Sequence, residues 1–290
     1  MKLPSPAVST QWLADNLDNP KLRIFDCSLY LTPNPDGPGY ITESGVTKWS
    51  QAHIPGAGFL DMMGEMLDTS TPAGFAMLPA EKFAQICGEK GIGDDTAVVF
   101  YSGQNIMWSA RMWWMLRSIG FDNAAVLDGG LEKWEREQRP MTAETRPYPK
   151  ATLTAKAKPA MWADKADVLM AMRSPAVCTI NALQPDIYDG QINRYGRHGH
   201  IPGSFNVYYS SLMNPEDGTF LPLEQLKTRF EESAPFGRPT IVYCGGGVSA
   251  AIDALALTML KHNDVAIYDG SMFEWASDPV LPLVLGTEPG

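Results

Sequence analysis

Cysteine is scarce in this chain. Only Cys27, Cys87, Cys178 and Cys244 occur in 290 residues, far apart and with no Cys-x-x-Cys. That spacing suggests neither a zinc site nor a disulfide framework. No run of about 18 uncharged apolar residues is present, so no membrane span is expected. Positive charge is also short. Lys and Arg number 23 against 33 Asp and Glu, a net charge of −10. This balance argues against nucleic acid or an anionic membrane surface as a partner. Residues 1–6 lack the apolar core of a signal peptide. A cytoplasmic location with reduced thiols is therefore expected, and no cofactor or metal.

The chain repeats itself. His53-Ile54-Pro55-Gly56 recurs as His200-Ile201-Pro202-Gly203, and Val98 to Gly103 answers Thr240 to Gly245. Leu127-Asp128-Gly129-Gly130 with Trp134 answers Tyr268-Asp269-Gly270-Ser271 with Trp275. Three matches in one order, at nearly constant offset, indicate a tandem duplication. Within the first copy the pattern predicts strands over 23–27, 97–101 and 124–127, and helices over 79–90 and 109–119. The second copy predicts strands over 177–181, 240–243 and 265–268, and helices over 223–232 and 250–262. Strands alternating with helices imply parallel sheets covered on both faces. Residues 139–160, rich in Pro, Thr, Ala and Lys, read as the connection. The domains are placed at 1–140 and 161–290, with a linker at 141–160.

The copies differ at one telling place. Where the second has Cys244-Gly245-Gly246-Gly247-Val248-Ser249 after a β-branched run, the first has Ser102-Gly103-Gln104-Asn105. A thiol between a strand end and a helix start sits where backbone N–H groups favour an anion. Glycines let that main chain turn sharply and approach closely. Cys244 is the candidate nucleophile. Cys27, Cys87 and Cys178 lie in or beside apolar segments and read as inert.

These motifs together resemble the rhodanese-type sulfurtransferases, and the cysteine in the second half alone resembles their thiosulfate and 3-mercaptopyruvate members. Residues 23–31 and 108–114 resemble first-domain segments of the mercaptopyruvate group. The resemblance implies two tandem rhodanese-like α/β domains, each with a central parallel sheet flanked by helices. It implies that Cys244 takes sulfur from a small anionic donor as a persulfide and passes it to a thiol or cyanide. The uncharged loop Gly245, Gly246, Gly247, Val248, Ser249 matches the mercaptopyruvate group better than the cationic loops of thiosulfate users.

Two departures from the pattern stand out. The loop hydroxyl that relatives use in a Ser-His-Asp relay is Gly246 here, so His53, which matches the family's first-domain histidine, lacks its partner. Ser249 offers a hydroxyl at the loop's end or caps the following helix. The arginines that relatives place in an Asp-x-Arg…Gly-Arg segment are Leu183 and Ile187 here, which cannot form an anion clamp. Arg194 and Arg197, closer to His200, are the candidate replacements. Arg111 reads equally as a cleft residue or an interdomain ion pair. An alternative to the enzyme is a sulfur carrier loaded by a relay protein partner. A cysteine phosphatase is rejected, because its loop needs a closing arginine and this one ends Val248-Ser249-Ala250-Ala251.

Overall fold

The computed structural model describes residues 1–37, 39–71 and 74–290. It contains two five-stranded sheets in which every neighbouring pair is parallel. The first runs Ala7–Val8, Ala124–Leu127, Ala97–Tyr101, Leu22–Asp26, Gly58–Phe59. The second runs Trp162–Ala163, Val265–Tyr268, Thr240–Tyr243, Cys178–Asn181, Ser204–Asn206. The two orders are the same once each strand is matched to its repeat, so the duplication extends to topology. Every residue of the middle strands Ala97–Tyr101 and Thr240–Tyr243 is buried, as expected for strands covered on both faces.

The repeated motifs are a repeated polar framework. His53 Nδ1 bonds the Trp49 carbonyl (2.7 Å), and its Nε2 bonds the Glu144 carbonyl (3.3 Å). His200 makes the equivalent pair with Tyr188 (2.8 Å) and Glu288 (3.1 Å). Trp134 donates to the Pro140 carbonyl and Trp275 to that of Pro282. Tyr101 and Tyr243 accept the N–H of Ile54 and Ile201. In each copy the histidine and the tryptophan fasten the segment after the last helix, and the tyrosine fastens the His-Ile-Pro-Gly turn. Each satisfies backbone groups that would otherwise be desolvated without a partner.

The connection between the domains is a strap rather than a loose tether. Tyr148 Oη accepts the Ile24 N–H and donates to the Gly56 carbonyl. Further along, Ala151 N–H donates to Gly88 and Lys158 N–H to Ser118. The proline-rich composition gives an extended backbone whose polar groups bond the first domain.

Helices Met107–Ser118 and Ala250–Met259 pack against each other between the sheets. Residues 107–116 are buried without a break, which explains why Trp108, Trp113 and Trp114 need no polar face opposite them. The second helix ends three residues before the expected His262. Lys261 adopts φ 66°, while His262 N–H bonds Leu257 and Lys261 N–H bonds Thr258. This is a left-handed helix stop made with lysine in place of glycine.

Candidate active site

Cys244 follows the carboxyl end of Thr240–Tyr243, the middle strand of the second sheet. In an open parallel sheet that end is where ligands bind. Cys244 is 2 % exposed and lines a cavity of about 310 Å3 between the domains. The first domain contributes Leu31, Pro33 and Tyr40 from the hairpin Leu29–Pro33/Tyr40–Ser44, together with Phe75, Gln104, Asn105 and Met107. That hairpin is fastened to the second domain by the Gly39 N–H, which donates to the Arg194 carbonyl at 2.9 Å.

Ser271 shapes the loop. It holds φ 47°, and its Oγ accepts the N–H of Cys244 (3.1 Å) and of Gly247 (3.0 Å) while donating to the Tyr268 carbonyl (2.7 Å). The carbonyls of Cys244 and Gly245 accept the N–H of Met272 and Phe273. Among the described residues, no protein acceptor takes the N–H of Gly245, Gly246, Val248 or Ser249. Free N–H groups at the start of a ten-residue helix form an anion cradle, suited to a thiolate or persulfide.

Of the residues expected at the site, Gly245, Gly246, Val248, Ser249 and Arg194 line the cavity with Cys244. Ser249 occupies the N-cap position but its hydroxyl makes no capping bond. Gly247 shapes the loop from behind. Its φ of +71° suits glycine, its N–H goes to Ser271, and its carbonyl accepts from Arg111 at 3.2 Å. Arg194 is half-buried, its guanidinium lies 5.4 Å from the Tyr40 ring centre, and its buried Nε has no partner.

Two expected residues are placed elsewhere. Arg197 donates to the carbonyls of Asp278 and Leu281, both at 2.9 Å, so its guanidinium is spent holding the C-terminal segment. His53 lies outside the cavity, with both ring nitrogens on backbone carbonyls and its ring stacked 4.7 Å from that of Trp49. Its match to His200 shows why: the shared motif fixes backbone in both copies. Arg111 is the interdomain tie. Fully buried, it pairs with Asp269, donates to the Phe75 carbonyl at 2.8 Å and lies 4.7 Å from the Trp162 ring centre.

Leu183 and Ile187 line the cavity, so the apolar substitutions face the site itself. Sequence reasoning missed the aromatic wall of Tyr40, Phe75, Tyr195, Tyr208, Tyr209 and Phe273. Tyr195 stands directly after Arg194, and that adjacency was the available signal. All four cysteines are free thiols. Burial raises Cys27 and Cys87 well above the ordinary thiol range and pushes Cys178 up to about 11, so these three stay protonated at neutral pH.

The Rhodanese-like domain family matches residues 9–137 and 184–278. The chain belongs to this family. It is 30 % identical over 280 residues to the 3-mercaptopyruvate sulfurtransferase of Escherichia coli strain K12, covering 95 % of this chain and 96 % of that one. It is 35 % identical over 284 residues to the thiosulfate sulfurtransferase of Bos taurus, covering 92 % and 91 %. The crystal structure of a 3-mercaptopyruvate sulfotransferase with the rhodanese fold, from Escherichia coli, aligns with a TM-score of 0.81 at 28 % identity, covering 92 % and 98 %. The chain is a sulfurtransferase built from two tandem rhodanese-like domains.

Proposed function

We propose that Cys244 takes sulfur from a small monoanionic donor of the 3-mercaptopyruvate type and carries it as a persulfide to a thiol or cyanide. The catalytic domain is 161–290, and 1–140 supplies the facing wall. The observation that carries the donor assignment is the charge of the cavity. Among the described residues, Arg194 is the sole charged side chain lining it, and its buried Nε is free to hydrogen-bond a carboxylate. A doubly charged donor would meet Leu183 and Ile187 where a second cation is needed. The thiolate attacks the donor sulfur, and the free loop N–H groups hold the persulfide anion.

The test is a comparison of initial rates with 3-mercaptopyruvate and thiosulfate, for wild type and Arg194→Ala. The reading predicts saturable turnover favouring mercaptopyruvate, with KM raised by the substitution. Equal use of both donors, or an unchanged KM, contradicts it. The apolar Leu183 and Ile187 also favour a second reading, a carrier loaded by a partner protein. Absence of saturation with either small donor makes that reading the better one.

A further inference from the structure

Removing sulfur from a 2-oxo thiol leaves a carbanion that must become an enolate, and its oxygen needs a hydrogen-bond donor. The loop hydroxyl that relatives use in a Ser-His-Asp relay is absent at Gly246, and His53 is occupied outside the cavity. Yet the cavity is rich in phenols, and one is singled out by position. A Cβ built on Gly245 would collide with the Tyr195 Oη, so this hydroxyl rests against the residue next to the nucleophile. Tyr195 is 7 % exposed, its ring held edge-on to Phe273, 5.0 Å between centres at 84°.

We propose that Tyr195 donates its phenolic hydrogen bond to the 2-oxo oxygen of the donor, as a catalytic residue replacing the missing relay. The inference rests on the mercaptopyruvate reading above. Arg194 and Tyr195 are consecutive and both line the cavity, matching a donor whose carboxylate and ketone oxygen are on adjacent carbons. The Cys244 thiolate forms the S–S bond as the donor's C–S bond breaks. The C–S electron pair moves into the enolate, whose oxygen accepts from Tyr195. The proton of the new Cys–S–SH group then neutralises the enolate, leaving a persulfide anion and the enol of pyruvate. Burial, the Tyr40 hydroxyl to which it hydrogen-bonds and the nearby Cys244 sulfur raise the Tyr195 phenol, so it stays neutral, and the donor's 2-oxo oxygen takes the place of Tyr40 as its acceptor. Ser249 also lines the cavity. Its hydroxyl is much the weaker acid, and a weaker acid stabilises an enolate oxygen less.

The test compares wild type, Tyr195→Phe and Ser249→Ala in two half-reactions. One is pyruvate release from mercaptopyruvate in a single turnover. The other is cyanide attack on Cys244 persulfide preloaded with inorganic polysulfide. The proposal predicts that Tyr195→Phe slows pyruvate release by about 100-fold, a typical contribution for an acid group of this kind, and leaves cyanolysis at the wild-type rate. Its Cys244 alkylation should keep the wild-type pH profile. Equal slowing of both half-reactions, a shifted alkylation profile, or loss of pyruvate release confined to Ser249→Ala overturns it. If wild type itself releases no pyruvate but cyanolyses normally, the donor reading fails, and with it the premise of the Tyr195 role.

Discussion

Arg111 of the first domain donates to the Gly247 carbonyl of the second, 3.2 Å across the domain boundary and within the loop that carries the nucleophile. The same guanidinium bonds the Phe75 carbonyl and Asp269. Arg111→Met would strand a partly buried carboxylate and two carbonyls. The expected cost is about 3–5 kcal/mol, read by urea denaturation, with slower persulfide loading. Arg111→Lys should not rescue, because a single ammonium cannot reproduce the planar fork. Wild-type stability in either variant contradicts this assignment.

Gly246 is glycine because the first domain covers it. A Cβ there would lie 2.7 Å from Phe75 Cδ2 and 3.3 Å from Phe273 Cδ2. Gly246→Ser, which reinstates the hydroxyl of relatives, should therefore lower activity and thermal stability. Pairing it with Phe75→Ala should recover part of the activity. A faster enzyme from the single substitution would show that the aromatic wall does not exclude that hydroxyl.

The first domain cannot be converted by its nucleophile position alone. Ser102 Oγ donates to the Asn105 carbonyl at 2.7 Å, Gly103 N–H bonds Ser28 Oγ at 2.8 Å, and Gln104 N–H bonds the Glu132 carboxylate. An internal anion thus sits in the copy of the cradle. In a Cys244→Ser background, Ser102→Cys should hold no cyanolysable sulfur after donor treatment. Labelled sulfur at residue 102 would contradict this.

Burial, the largest influence, raises the Asp26 carboxyl to about 6 despite the Ser28 N–H bond at 2.7 Å. Between the ordinary value of 3.8 and about 6 the folded chain holds a proton that the unfolded chain has lost. Stability from this group is full below 3.8 and lost as pH rises through about 6. Asp26→Asn should stabilise the protein at neutral pH by on the order of 2–3 kcal/mol and leave it unchanged in acid. Chemical denaturation at the two pH values checks it; a gain that persists in acid contradicts the electrostatic cause.

The middle strands and the Cys244 loop were legible because local chemistry dictates them: β-branched runs, glycines, and a cysteine before an Ala-rich helix. The short edge strands and the hairpin Leu29–Pro33/Tyr40–Ser44 were not, since pairing across the fold decides such segments. The role of His53 was misread for a related reason. His53 and His200 carry the same motif, but only their bonds to Glu144 and Glu288 show both fixing the segment after the last helix. Arg194 and Arg197, three residues apart, were indistinguishable in sequence. Backbone carbonyls at Asp278 and Leu281, remote along the chain, take one and leave the other at the cavity.

Sulfur is carried on Cys244 and on no other thiol of this chain. Mass spectrometry of peptides after brief treatment with 3-mercaptopyruvate, without acceptor, locates it. One added sulfur is expected on the Cys244 peptide, lost on cyanide treatment, and none on the peptides of Cys27, Cys87 or Cys178. Added sulfur spread over those cysteines, or an unmodified Cys244 peptide while pyruvate accumulates, would contradict it.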